Sequence, residues 1–515
     1  MAEHGARKYI ITATVITASL LELIDTTIVN VSLPQIMGNL GATFEDIGWV
    51  VTGYAVANVI VLPMSGWLGR RFGRKNYFLA SIIIFTLASF MCGNAHSLSE
   101  LVVFRIIQGL AGGGLLSTSQ AILLETWPRE QMGMAQALFG IGAVVGPTLG
   151  PTVGGYITDH FNWPWIFYVN IPVGLVAAMS TLTFIRKDDV AREETPVDWA
   201  GIGLLAASIG CLQFVLEKGQ SESWFETPYI AVLTFLCLIF GVLFIWRELS
   251  TDHPVVNFSI LKYRSFRLGM LTTLVLGFAL YSSAFVQPVF CQNLLGFTAQ
   301  QTGMMLIPGG LATILMMPVT GTLLRKRFPA QVLSSLGMIM FFIFTQMLSH
   351  LTLAAGMGDF FWPLVIRGIG MSILFVPITT LALQDVPKPM LGQATGLNNM
   401  MRQLGGSFGI AVMTTLVASR YAFHRSNLLD HISISSPQTT DRLNMITHGL
   451  ISKGYTLSAA KQIALQSING SVIKQTYLLT YSDAFWIAGV FCLVALPLLL
   501  LQRFKRGDVV LADAH

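Results

Sequence analysis

The sequence predicts an all-α polytopic membrane protein: fourteen transmembrane helices, forming two six-helix bundles with two further helices inserted between them. Three observations lead there. Of the 515 residues 53% are hydrophobic and only 11% are charged, against about 25% charged in an ordinary soluble domain. Apolar stretches of about 20 residues, the length that crosses a bilayer, recur along the whole chain. The connections between them alternate between strongly basic and free of lysine and arginine, as the two sides of a membrane require.

In order, the apolar segments are 9–34, 46–67, 76–96, 100–125, 133–157, 163–185, 198–217, 228–248, 266–290, 299–324, 329–352, 360–384, 392–421 and 481–502. The first is long, carries carboxylates and lacks a small-residue cleavage site, so it is expected to remain as a helix rather than be removed as a signal peptide. Basic connections hold Arg70, Arg71, Arg74 and Lys75; Arg186, Lys187 and Arg192; Lys262, Arg264 and Arg267; and Arg325, Lys326 and Arg327, and the tail holds Arg503, Lys505 and Arg506. The connections 35–45, 96–99, 158–162, 291–298 and 353–359 hold none. Lysine and arginine concentrate on the cytoplasmic side, which places both termini there, in the inner (plasma) membrane, and demands an even number of crossings. One outer segment, Tyr421–Thr480, breaks the short-loop pattern. Its stretch Ser458–Ile473 sets Ala459, Ile463, Leu465, Ile468 and Ile473 among polar residues and reads either as a short amphipathic helix or as an irregular surface loop.

An internal repeat supports the two-bundle arrangement. Gly66 followed by Arg70, Arg71 and Arg74 closes one helical hairpin, and Gly321 followed by Arg325, Lys326 and Arg327 closes another. Two helices beyond each comes an arginine before glycine, Arg105 in FRIIQG and Arg367 in VIRGIG. The expected units are therefore an N-terminal six-helix bundle over 1–185, a linker with two inserted helices over 186–265, and a C-terminal six-helix bundle over 266–515 that includes the outer segment 421–480. Parallel halves of this kind place a binding cavity at their interface, near the bilayer midplane.

Composition also excludes function classes. The net charge of +5 is spread over loops and forms no basic domain, so nucleic acid is not an expected partner. The five cysteines lie in apolar segments with no CxxC spacing and no histidine beside them, which predicts neither a disulfide framework nor a metal site. Without a ligand cluster, a nucleophile–base constellation or a phosphate loop, neither an enzyme nor a cofactor is expected.

The chemistry concentrates in a few intramembrane polar residues. Glu22 and Asp25 sit in the first segment, where a charge at the bilayer centre costs at least about 2.5–3.5 kcal/mol and usually marks an ion or substrate path. Three residues apart, they share a helix face, and two carboxylates so close cannot both ionise cheaply, which suits a proton carrier. The competing reading is that they only tie the first helix to its neighbours. Arg105 and Gln108 share a face of the fourth segment; a membrane arginine needs a carboxylate or several carbonyls, and the first helix supplies candidates. Arrival of a proton on the acid would weaken such a pair, giving coupling with a definite sign; a purely structural ion pair is the alternative. In the fifth segment Gly142, Gly146, Gly150 and Gly154 are spaced by four, with Pro147 and Pro151 among them, predicting a bent and tightly packed helix. Arg402 shares a stripe with Gly406 and Gly409 in the thirteenth segment, a buried arginine that either lines the cavity or ties helices.

These residues carry a resemblance. LIDTTIVNVSLP at Leu23–Pro34, which includes Asn30, GWLGRRFGRK at Gly66–Lys75, FRIIQGLAGG at Phe104–Gly113, the glycine-proline run of the fifth segment and WIFYVNIPVG at Trp165–Gly174 resemble the motif set of the major facilitator superfamily. With fourteen helices, the set is similar to the EmrB/QacA type of drug:proton antiporter over nearly the whole chain. The resemblance implies alternating access driven by inward proton movement, with Asp25 as the membrane-embedded acid and Arg105 as the helix-4 arginine; Glu22 is an additional acid that the motif does not require. Asn30, Gln108, Arg367, Arg402 and the glycine-proline run are the candidate cavity or packing residues, and the resemblance makes Gly66, Arg70, Gly73 and Arg74 the conformational loop motif. Gly69 stands where that motif usually has an aspartate, so this chain carries no acid at that position of the motif.

The expected function is proton-coupled efflux of hydrophobic compounds, with cations among the candidates; a dedicated exporter or flippase of one endogenous amphiphile, a lipid or secreted metabolite, is the alternative. Protons, membrane lipid and hydrophobic small molecules are the expected partners. Where the host has two membranes, the resemblance adds a periplasmic adaptor protein and an outer-membrane channel.

Overall fold

The computed structural model describes residues 6–186, 196–433 and 436–500; Lys187, Arg192, Arg503, Lys505 and Arg506 lie outside them. In lipid every backbone N–H and C=O must be satisfied within the segment, which for these apolar runs leaves the helix. No strand occurs among the described residues. The helices are α1 (Ala6–Leu40), α2 (Trp49–Val61), α3 (Ser65–Phe72), α4 (Arg74–Gly93), α5 (Leu98–Thr126), α6 (Met132–His160), α7 (Asn170–Phe184), α8 (Trp199–Lys218) and α9 (Pro228–Ser250). They continue as α10 (Arg264–Asn293), α11 (Ala299–Arg325), α12 (Ala330–Ser349), α13 (Phe361–Leu383), α14 (Leu391–Asp430), α15 (Pro437–Ile451) and α16 (Leu457–Val494).

Among the described residues, eleven helices are long and apolar enough to cross a membrane, and up to thirteen if each of two bent pairs counts as one span. One bend, of 61°, separates α2 from α3 at Pro63; the other, of 41°, lies within α6 near Pro147. The segment 392–421 is helical but is not among the thirteen. Its Gln393, Asn398, Asn399 and Arg402 are buried against protein rather than facing lipid, so position and not apolarity makes it part of the bundle.

Around the interior, α1 packs on α6, α2 and α4 pack on α5, α10 packs on α14, and α12 packs on α13 and α16. The early and late helices meet where α6 lies along α11 and α13 and where α3 and α5 meet α14. The α8–α9 pair stands outside this ring, held through α8 against α2 and α14, and Gln213 Nε2 donates to Ser407 Oγ at 2.8 Å. Glycine governs the closest crossings. A Cβ at Gly146 would sit 2.9 Å from Leu23 Cβ and one at Gly154 2.7 Å from the Ile28 carbonyl, while one at Gly150 would run into Thr27 Oγ1. The glycine ladder of α6 thus seats α1, the helix that carries Glu22 and Asp25.

In the segment 421–480 the helical reading of Ser458–Ile473 holds, within a longer element. Helix α14 continues to Asp430, α15 covers Pro437–Ile451, and α16 starts at Leu457, so Ser458–Ile473 is the opening of a 38-residue helix that runs on into the last apolar segment. At its base the Tyr421 and Tyr477 rings lie 4.6 Å apart, and Asp483 meets His424 Nε2 at 2.8 Å and Arg420 Nε at 3.3 Å.

Candidate functional site

Asp25, fully buried on α1, is the hub of a polar cluster. Its Oδ2 accepts from Arg105 Nη1 of α5 at 2.5 Å, and its Oδ1 accepts from Gln108 Nε2 at 3.0 Å and from Asn170 Nδ2 of α7 at 2.9 Å. Gln108 Nε2 and Asn170 Nδ2 also reach Ser89 Oγ of α4, at 2.7 and 3.2 Å. Arg105 is itself 1% exposed, donates through Nε to the Val50 carbonyl at 3.2 Å and through Nη1 to Gln108 Oε1 at 2.7 Å, and lies 4.0 Å from the centre of the Tyr54 ring. Donors from α5 and α7 therefore meet on one carboxylate of α1, and α4 joins the cluster through Ser89. Removing either charge leaves the other buried without its counter-ion, which is far costlier than losing a surface pair.

Glu22, one turn earlier on α1, is held differently. Its Oε1 accepts from Asn58 Nδ2 of α2 at 3.1 Å, and its buried Oε2 has no hydrogen-bond partner in the protein. A Cβ at Gly112 would lie 3.2 Å from Glu22 Cγ and 2.9 Å from Tyr54 Oη, so the glycine makes room for both. Across the interior, Arg402 of α14 is buried with Nε and Nη2 unpartnered and lies within electrostatic range of Glu22, as does Tyr281 of α10. Buried polar atoms without partners are rare, and a group of them from facing helices marks space that water or a ligand completes.

On the side of the basic connections the interior is closed. A buried amide chain runs from Asn399 Nδ2 to Gln120 Oε1 at 2.8 Å and from Gln120 Nε2 to Gln136 Oε1 at 2.9 Å, linking α14, α5 and α6. Beyond it, Gly66 of α3 abuts the backbone of Gly392 and Gln393, and Gly396 abuts the Leu62 carbonyl.

The family model for the Major Facilitator Superfamily matches residues 15–410. The chain belongs to this superfamily. Among its relatives in it, the Multidrug export protein EmrB of Escherichia coli (strain K12) is 33% identical over 492 residues, covering 95% of this chain and 94% of the relative. The Fatty acid resistance protein FarB of Neisseria gonorrhoeae is 32% identical, covering 97% of each chain, and the Colistin resistance protein EmrB of Acinetobacter baumannii is 27% identical, covering 96% of each. Among solved major facilitator structures, the human organic anion transporter MFSD10 (TETRAN) superposes with a TM-score of 0.60 over 96% of this chain and 99% of that one, at 12% identity, a likeness of fold alone.

Of the remaining superfamily motif positions, Asn30 is exposed on the C-terminal half of α1, five residues from Asp25. Arg367 is buried within the C-terminal helices, donating through Nε to Ser283 Oγ at 3.2 Å and lying 5.9 Å from the Phe344 ring, away from the Asp25 cluster. In the loop motif, Gly73 adopts φ +81° between α3 and α4, a conformation that favours glycine, and Arg74 pairs with Glu125 of α5. With Gly69 in place of the motif's acid, the carboxylate partner of this arginine comes from the neighbouring helix. Sequence reasoning did not single out Asn170, Asn58, Tyr54 or the amide chain. Asn170 lies inside WIFYVNIPVG, an amide in an otherwise apolar helix start, and that was the available signal.

Proposed function

We propose that this protein is a multidrug exporter of the inner (plasma) membrane that exchanges hydrophobic compounds for protons by alternating access, with fourteen crossings and both termini in the cytoplasm. It is a secondary transporter, not an enzyme. The observation that carries the proton reading is the fully buried Asp25–Arg105 pair, in which both carboxylate oxygens are occupied by donors from α5 and α7. While Asp25 is ionised it ties α1 to α5 and α7. A proton on it removes the counter-charge of Arg105, which keeps the Val50 carbonyl, Gln108 and the Tyr54 ring as partners, and α1 is then free to move relative to α5. Proton occupancy and helix arrangement are thereby one equilibrium. Moving one charge through 100 mV yields about 2.3 kcal/mol, and a tenfold gradient costs about 1.4 kcal/mol, so a single exchanged proton supports a gradient well above tenfold for a neutral compound.

The substrate space is the region between Glu22, Tyr54, Tyr281 and Arg402, where an acid and a guanidinium with unpartnered atoms offer polar handles of both signs in apolar surroundings. The names of the relatives, spanning multidrug export, colistin resistance and fatty acid resistance, favour this broad reading over a dedicated exporter of one amphiphile. Where the host has two membranes, the helical hairpin built from the end of α14, α15 and the start of α16 is the surface on which a periplasmic adaptor, leading to an outer-membrane channel, would seat.

The test is Asp25→Asn. The amide keeps the size of the side chain and cannot carry the proton, so energised efflux from proteoliposomes is lost while the protein still inserts and exchanges substrate across the membrane. Energised efflux at the wild-type rate in this variant ends the assignment.

A further inference from the structure

The break between α2 and α3 leaves a notch on the outer surface of the bundle. Because α3 leaves the line of α2 by 61° while α4 and α5 continue straight past it, an open cavity of about 750 Å³ lies between the four helices. Its walls include Val61, Ala80, Ile84, Ile107 and Leu110, and its mouth carries Arg71 and Asn76. Ile84 and Leu110 are 46% and 44% exposed in the middle of membrane helices, so the cavity opens into hydrocarbon and not into the substrate space. Its polar end lies in the turn that holds Arg70, Arg71, Arg74 and Lys75, hence at a membrane surface. From Asn76 to Ile84 the α4 wall descends roughly 12 Å at about 1.5 Å per residue, close to the ~15 Å hydrocarbon depth of one leaflet.

We propose that this groove binds one anionic phospholipid from the leaflet on the basic-loop side, with an acyl chain between Ile84, Ile107 and Leu110 and the phosphate against Arg71. The charge complementarity is specific: guanidinium takes two phosphate oxygens at once, the Arg71 group lies 5.9 Å from the Trp67 ring at the lip of the groove, and Asn76 adds an amide donor. The position also gives the lipid a consequence. On the opposite face of α3, Gly66 is packed against Gly392 and Gln393, so a chain filling the notch backs α3 against α14 and favours the arrangement closed on this side. Naming that leaflet cytoplasmic rests on the proposed topology; the binding itself does not.

Native mass spectrometry of the full chain in detergent, titrated with phosphatidylglycerol and with phosphatidylethanolamine of the same acyl chains, tests this without a gradient or a transported substrate, so its failure is distinct from failure of the export reading. One phosphatidylglycerol should be retained at least tenfold more tightly than phosphatidylethanolamine, Arg71→Gln should abolish the preference, and Leu110→Trp, which fills the wall, should weaken retention of both. If Arg71→Gln does not fold, Arg71→Lys serves, reducing the preference by loss of the two-point contact. Equal retention of the two lipids, a preference that survives Arg71→Gln, or retention of both that is unchanged by Leu110→Trp overturns the proposal. So does displacement of the retained lipid by tetraphenylphosphonium, which would make the groove a substrate portal.

Discussion

Replacing the α6 glycines one at a time by alanine should give a graded response set by their distance from α1. A Cβ at Gly142 would meet nothing closer than Leu20 Cδ2 at 3.6 Å, ordinary van der Waals contact; at Gly146 it would lie 2.9 Å from Leu23 Cβ. At Gly150 it would run into Thr27 Oγ1, with the Ile24 carbonyl at 3.1 Å, and at Gly154 it would meet the Ile28 carbonyl at 2.7 Å. Alanine favours any helical state, so its propensity does not separate two helical arrangements. What separates them is overpacking, about 1–3 kcal/mol where α1 and α6 are in contact, or roughly 5- to 150-fold in the population of that state. Gly142→Ala should therefore transport normally. Gly146→Ala should be impaired, and Gly150→Ala and Gly154→Ala should be slowed most, because they push on the backbone of the helix that positions Asp25. Proton-driven efflux from proteoliposomes reads the rates, and thermal melting in detergent separates slowed exchange from lost folding. Equal damage at Gly142 and Gly150, or wild-type rates for Gly150→Ala, refutes the close-packed α1–α6 seam.

Three further outcomes follow from the same geometry. Glu22→Gln keeps an oxygen for Asn58 but removes the charge facing Arg402, so export of cationic compounds should fall more than that of neutral ones, or the pH profile should shift; no change in either removes Glu22 from the mechanism. Asp198 caps α8 through the Gly201 N–H at 3.0 Å and takes Arg247 Nε at 3.1 Å. Burial alone would push its carboxyl up, but the Arg247 guanidinium and the backbone N–H groups outweigh it and hold the group below its ordinary value. Its contribution is therefore present above the unfolded value of about 3.9 and is lost only as pH falls through the lower folded value. Asp198→Ala should cost about 1 kcal/mol or more and Asp198→Asn, which still caps, distinctly less; equal melting temperatures for the two variants contradict this. Deleting residues 430–470 should preserve transport in vesicles while abolishing resistance in a two-membrane host if the hairpin is a docking surface; loss of both assigns it to folding.

The Asp25–Arg105 pair was legible because lipid makes intramembrane charge conspicuous and because the spacing of Arg105 and Gln108 puts them on one face. The glycine ladder was legible for a similar reason: glycines spaced by four signal a close helix crossing, which Gly146, Gly150 and Gly154 make and Gly142 does not need. Asn58, Asn170, Gln120, Gln136 and Asn399 were not, since a neutral amide in an apolar segment looks like any tolerated polar residue until the helices that face it are placed. The partner of Arg74 was hidden too, because Glu125 reads as a helix end and only the packing of α4 on α5 brings the two together. In the segment 421–480 the helices are largely solvent-exposed, so the apolar periodicity that announces a packed helix is thin; it left the start of α16 open between helix and loop and gave no sign of α15.

The central claim, that Asp25 exchanges its proton in step with substrate, is tested most directly by proton release. A compound identified by resistance profiling is added to purified protein in weakly buffered detergent solution, and the protons released per bound compound are counted with a pH dye for the wild type and for Asp25→Asn. The account predicts release from the wild type and none from Asp25→Asn, with substrate still bound by both. Equal release from the two proteins would contradict it.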